Sequence, residues 1–345
     1  MAESGTMSAM IQTESGFAAA LPPSIPERLD PYLSFQTIST PTAGRGQVVV
    51  RVTMAPVNPS DLAFVIGAYG RPREAGVPAG FEGVGEVVAS GGGALANRLV
   101  GKRVSFYAGA SGSWAEYAVA DAKACIPLRS DVRDEDGAAL LVNPFSAWAM
   151  FDLVRREGAK AFVMTAAASQ LCKLLTVLAA SHGLRPISLV RRDEHIEPLR
   201  AMGAVHVLNT EAPDFTESLV EAIREERPRV LLDSLSGPTA GAVFAAMGRR
   251  SRWVVYGGLA LEPARLPDPG ELIFRGKRVE GFWLTSWIGE ASIVRLARAS
   301  RRVQGLFADG TWHTDVVATV RLADALDQLP TLLARANHGK VMLTP

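Results

Sequence analysis

Cysteine is scarce: Cys125 and Cys172 are the two in the chain, and they lie far apart in sequence. That count excludes a disulfide framework and suits a reducing, cytoplasmic compartment. It also excludes a thiolate-built structural zinc site, which needs several cysteines at short spacing. The histidines (His182, His195, His206, His313 and His338) form no close-spaced ligand pair, so no metal site is expected. An excess of one charge is missing as well. The formal net charge is +1, which offers no basic field to nucleic acid. No apolar run of about 18 residues is free of charges and breakers, so no membrane span is expected. Residues 1–16 carry Glu3 and Glu14 and neither Lys nor Arg, unlike a signal peptide, and nothing in them suggests function.

What is present describes an ordinary globular protein of 345 residues, 48% hydrophobic and 21% charged. That length is too great for one simple core, and two domains are expected. The first part reads as β-rich. Residues 47–55 form a valine-rich apolar run, 84–89 and 103–107 look similar, and Gly91-Gly92-Gly93 is a turn. Glycine and proline punctuate the rest of that region, from Pro56 to Gly85. From about Ala138 the rhythm changes. Helices at 143–156, 169–182, 194–202, 215–224 and 239–247 alternate with strands at 161–165, 187–190, 205–208, 230–233 and 253–256. That alternation predicts a parallel, doubly wound sheet, hence an α/β fold. The tail predicts a helix near 290–307, a strand near 316–320, a helix near 323–335 and a final strand at 340–343. The expected divisions are 1–137, 138–284 and a return to the first domain at 285–345.

The first strand–helix turn of such a sheet holds a dinucleotide pyrophosphate, because the helix N-terminus offers N–H groups and partial positive charge. Here it reads Thr165-Ala166-Ala167-Ala168-Ser169-Gln170-Leu171-Cys172, without the usual glycines. By itself it equally describes an ordinary packed turn. The second strand ends in Arg191-Arg192, about twenty residues on. An NAD enzyme places Asp or Glu there for the ribose hydroxyls, whereas arginine suits a 2′-phosphate, so NADPH is expected.

Several motifs then resemble one family. Asn58-Pro59-Ser60-Asp61 followed by Gly67-Ala68-Tyr69-Gly70 looks like the zinc-independent medium-chain dehydrogenases/reductases, nearest the mitochondrial-type 2-enoyl thioester reductases. Gly80-Phe81-Glu82-Gly83-Val84-Gly85 resembles the G-x-E-x-x-G signature of the superfamily's quinone reductases. Leu141-Val142-Asn143-Pro144, Tyr256-Gly257-Gly258 and Gly281-Phe282-Trp283-Leu284 follow in the same order. The likeness runs from about Val48 to nearly the end. It implies a GroES-like β-rich catalytic domain and a Rossmann domain. Zinc enzymes of the superfamily place a ligand Cys near the N-terminal motif and a ligand His in G-H-E. Here Asn58-Pro59 and Phe81 stand in those places, so no metal is implied.

The resemblance also implies roles. Tyr69 matches the proposed catalytic acid. Asn143 would meet the nicotinamide side; Ala168, Ser169, Gln170 and Leu171 would line the pyrophosphate; Arg191 and Arg192 would hold the 2′-phosphate. Tyr256, Gly257 and Gly258 would approach the nicotinamide ribose and ring, Phe282, Trp283 and Leu284 would flank the ring, and Lys340 would close the site. The family has S-G-V-G where this chain has Ser169-Gln170-Leu171-Cys172, so an added Cβ could push the phosphates away. Phe64 and Trp287 are candidates to shape an apolar acyl pocket, with core packing the alternative.

The expected reaction is reduction of an activated C=C bond in an enone or 2-enoyl thioester, with hydride from NADPH and a proton from Tyr69. A tyrosine hydroxyl, with an ordinary pKa of ~10, holds that proton at neutral pH. Two alternatives stand beside it: an NADPH:quinone reductase, and an NADPH-binding sensor or interaction protein without turnover. A homodimer is implied by the relatives, paired through an edge strand near 279–284.

Overall fold

The computed structural model describes residues 5–19, 28–109, 111–260, 262–266, 268–333 and 339–345. The chain forms two compact units, Met1–Asn143 with Ser300–Pro345, and Pro144–Ala299.

In the first unit, alternating valines make the strand Gln47–Pro56, which pairs antiparallel with Glu82–Ser90 and with Tyr117–Asp121. The sheet runs Val316–Arg321, Lys340–Thr344, Gln47–Pro56, Glu82–Ser90, Arg103–Tyr107, Cys125–Pro127. Val48, Val50, Val87, Val104 and Phe106 bury one side of it. Close packing is visible at Gly85, where a Cβ would lie 2.1 Å from the Arg51 carbonyl oxygen. The strand Thr6–Gln12 pairs with Leu33–Ser39 and contributes Met7, Ala9, Met10 and Ile11 to the core. The helix expected near 323–335 is a 3-10 turn at Leu322–Asp324 followed by Ala325–Leu333, and its last expected residues lie outside the described ones.

In the second unit six strands run parallel, in the order His206–Asn209, Arg185–Val190, Ala161–Met164, Val230–Asp233, Arg252–Val255, Arg278–Gly281. By chain order this is 3-2-1-4-5-6, the Rossmann arrangement. The order reverses beside Ala161–Met164, which puts the ligand crevice at the carboxyl ends of that strand and Val230–Asp233. The helix expected near 290–307 is present as Ile293–Ala308, and a separate short helix, Leu284–Glu290, precedes it. Ala291 is extended (ψ 135°), and the Ser292 hydroxyl accepts from the Arg295 N–H, so the chain breaks and is recapped.

Both cysteines are buried free thiols. Among the described residues no helix is long and apolar enough to cross a membrane.

Candidate active site

The phosphate turn follows the first Rossmann strand. Ser169 is the N-cap of the helix Gln170–Ala180, and its hydroxyl accepts from the Cys172 N–H. Ala166 has φ 47°, a left-handed conformation that costs an alanine about 1 kcal/mol and that glycine would adopt freely. Ala167 donates its N–H to the Leu189 carbonyl oxygen at 3.0 Å, which fixes the turn against the second strand just before Arg191 and Arg192. Both arginines are exposed, and Arg192 is only loosely held by Glu194, at 3.4 Å.

The missing glycine at Cys172 does not block the turn. The residue is fully buried, with Sγ 3.7 Å from the Thr165 carbonyl oxygen and 3.4 Å from the Tyr256 hydroxyl. Its side chain is therefore spent on the sheet side, and burial raises the thiol's pKa, so it stays protonated and inert. Ala168, Ser169 and Gln170 remain half-exposed. Ala168 and Ser169, a helix N-terminus and two guanidiniums fit an anionic dinucleotide, and the Gln170 side chain carries an amide donor at the same turn.

The crevice floor is built by a residue the sequence reading passed over. Asp233 is fully buried at the end of its strand. It accepts from the Thr165 hydroxyl (2.6 Å), the Trp253 indole N–H (2.9 Å) and the backbone N–H groups of Leu235 and Ser236. It thereby holds the turns after two adjacent strands. Tyr256, Gly257 and Gly258 follow the next strand. A Cβ at Gly257 would lie 2.8 Å from the Ser234 carbonyl oxygen, so that position needs glycine, whereas Gly258 meets nothing within 4 Å. The Tyr256 hydroxyl is pushed well above its ordinary pKa, chiefly by burial and then by Cys172, so it stays protonated at neutral pH. Phe282 donates its N–H to the Val255 carbonyl oxygen, Trp283 is 43% exposed, Leu284 begins a short helix, and Trp287 stacks under Arg295 at 5.0 Å.

In the first unit Tyr69 lies in the loop opened by Gly67, whose φ is +75°. Its ring is 5.1 Å from that of Phe81 and 6.2 Å from that of Phe64. Phe64 is buried and packs in the same cluster, its ring 5.1 Å from that of Phe81. Beneath lies a buried polar network. Asn58 donates to Glu82 Oε1 at 2.9 Å, and its own Oδ1 accepts from Lys340 Nζ. Glu82 Oε2 accepts the N–H groups of Leu141 and Val142, each at 2.9 Å, which fixes the chain immediately before Asn143. Asp61 accepts from the N–H groups of Asn58 (2.7 Å) and Phe81 (2.9 Å).

Burial sets the electrostatics of this network. It pushes the Asp61 carboxyl up to about 7 and raises Glu82, opposed in each by Lys340, and it lowers Lys340, opposed by the two carboxylates. A zinc ion does not fit these donors. Phe81 offers no ligand atom, and the Lys340 ammonium already supplies the positive charge. Elsewhere, His206, Glu225 and Glu226 place ligand atoms within 4.8 Å of one another, but Glu226 is already bound to Arg185.

A β-rich unit joined to a 3-2-1-4-5-6 nucleotide sheet defines a two-domain dehydrogenase fold. Residues 44–130 match the alcohol dehydrogenase GroES-like domain, and 173–299 match the zinc-binding dehydrogenase domain. Human mitochondrial enoyl-[acyl-carrier-protein] reductase is 31% identical over 308 residues, 88% of this chain and 82% of that protein. The crystal structure of a putative NADPH:quinone reductase from Mesorhizobium loti superposes with a TM-score of 0.95 at 49% identity, covering 100% of both chains. A mutant form of enoyl thioester reductase from Candida tropicalis, 19% identical with a TM-score of 0.78 over 99% of this chain and 100% of that one, shares the fold. The chain belongs to the medium-chain dehydrogenase/reductase superfamily, in its quinone and enoyl reductase branch.

Proposed function

We propose that this chain is an NADPH-dependent, zinc-independent reductase of activated C=C bonds, acting on enones or 2-enoyl thioesters. The observation that carries the reading is the Arg191–Arg192 pair at the end of the second Rossmann strand, beside an approachable helix N-terminus. NADPH, when bound, supplies the hydride. Ala168, Ser169, Gln170 and Leu171 hold its pyrophosphate and the two arginines its 2′-phosphate. Asn143, Tyr256–Gly258, Phe282–Leu284 and Lys340 serve the nicotinamide end. The protein's remaining task is the negative charge that develops on the acceptor oxygen. Tyr69, set in an aromatic wall of Phe64 and Phe81, is the donor proposed for it. Trp287 is retained as a candidate for the acceptor pocket.

A fluorescence titration with NADPH, followed by an acceptor screen at fixed protein, tests the cofactor and then the chemistry. Tyr69→Phe is expected to lower turnover at least ~tenfold while leaving NADPH affinity intact, since it removes one general acid. Unchanged turnover would take Tyr69 out of the mechanism. The Mesorhizobium relative favours a quinone as the second acceptor class. Comparing rates on a quinone and on a 2-enoyl-CoA separates the two. NADPH binding with no oxidation by any acceptor would leave the sensor reading.

A cytoplasmic homodimer completes the proposal. Arg278–Gly281 is the edge strand of the nucleotide sheet, and Ile273 (70% exposed), Phe274 (74%) and Val279 (38%) lie on or just before it. An unpaired apolar edge is suited to pairing with its symmetry copy. Ile273→Lys with Phe274→Glu is expected to halve the mass measured by light scattering. A mass identical to wild type would remove this surface from the assembly.

A further inference from the structure

The aromatic cluster around Tyr69 contains a cation with no role so far. The Arg71 guanidinium carbon sits 4.7 Å from the Phe64 ring centroid and 4.9 Å from that of Phe81. One terminal N–H donates to the Gly109 carbonyl oxygen at 2.8 Å. The Nε–H is buried without an acceptor, and no carboxylate pairs with the charge among the described residues. Tyr107 stacks on the same Phe81 ring at 6.0 Å, and Arg71 opposes the burial that raises the Tyr107 hydroxyl. A guanidinium is weakly hydrated and stacks well on rings, so it keeps its charge where an ammonium would be held less easily. Two rings and one carbonyl fix it in place, and none of them neutralises it. Arg71 is half-buried, and a positive charge held in place beforehand against apolar rings acts on charge that appears during a reaction.

We propose that Arg71 is a further catalytic residue, binding the acceptor oxygen on which negative charge develops, while Tyr69 against the same Phe81 ring provides the proton. This rests on the reading of Tyr69 given above. The β-carbon of the acceptor takes the hydride, and its C=C pair shifts to make an enolate whose oxygen Arg71 holds. The α-carbon then takes the Tyr69 proton, and water returns one to the tyrosinate. Oxidised nicotinamide and the saturated carbonyl compound are the products. A quinone would present to the same guanidinium the carbonyl oxygen that becomes phenolate as the hydride is accepted.

The test compares wild type, Tyr69→Phe, Arg71→Met and Arg71→Lys by kcat and KM for the acceptor and by NADPH affinity. It adds calorimetric binding of 2,4-dinitrophenolate, an oxyanion at neutral pH. Arg71→Met is expected to lower kcat about a hundredfold, the effect of losing one preorganised oxyanion donor, with NADPH affinity unchanged. It is also expected to weaken dinitrophenolate binding at least ~tenfold, with Arg71→Lys recovering part of both losses. Should Arg71→Met fail to fold, Arg71→Gln keeps a donor for Gly109 without the charge and is read in the same way. Wild-type kcat and wild-type dinitrophenolate binding in the uncharged variant overturn the role of Arg71 even if Tyr69→Phe is slow. Absence of turnover in wild type overturns the Tyr69 reading instead. In that case dinitrophenolate binding that ignores Arg71 rejects the oxyanion site as well.

Discussion

Lys340→Met is expected to destabilise the first unit by about 3–5 kcal/mol at pH 8, the cost of stripping one partner from a buried charge group. The side chains have similar length, so the main loss is the ammonium on Asn58 that faces buried Glu82 and Asp61. The loss should shrink as the pH falls to 5. In the folded state the Asp61 carboxyl is held up to about 7 and Glu82 is raised, both by burial. An unfolded carboxylate titrates near ~4. Between these values the folded chain binds protons that the unfolded chain does not, so falling pH favours the fold. Without the ammonium both carboxyls rise further, and acid relieves the variant more than wild type. A urea titration read through amide exchange of the strand Gln47–Pro56 reports on this unit alone. An equal loss at pH 5 and pH 8 would mean that Lys340 fills space and does not balance charge.

The second large effect concerns the coenzyme. Arg191→Ala with Arg192→Ala is expected to raise the NADPH dissociation constant roughly a hundredfold, since charge-assisted hydrogen bonds are worth ~1.5–3 kcal/mol each. Affinity for NADH should stay within ~threefold, because it carries no 2′-phosphate. Both side chains are exposed and the one ion pair, Arg192 to Glu194, is long, so the fold should be unaffected. Equal weakening toward both coenzymes would assign the arginines to the general field of the crevice and cancel the preference for NADPH.

The nucleotide half was open to reading because its signals are local. A strand, a tight turn and a helix recur at a spacing set by the crossover, and charge at the second strand end falls at a fixed distance from the turn. What failed there was one side chain. Cys172 looked like an obstacle, and only its contacts with Thr165 and Tyr256 reveal that it faces inward. Asp233 was passed over because its partners lie as far as 68 residues away. In the first unit the hairpin of Thr6–Gln12 and Leu33–Ser39 was missed for a similar reason: its apolar residues are buried by partners distant in sequence.

By itself the sequence determined the fold class and the alternation of strands and helices in the nucleotide half, because periodicity and turn chemistry act over a few neighbours. Only the tertiary structure decided what surrounds each ionisable group. It brings Lys340 to Asn58 across 282 residues, gives Asp61 and Glu82 their burial, and lays Arg71 on the rings beside Tyr69. Desolvation and charge pairing depend on distances in space, and a linear chain does not contain those until it has folded.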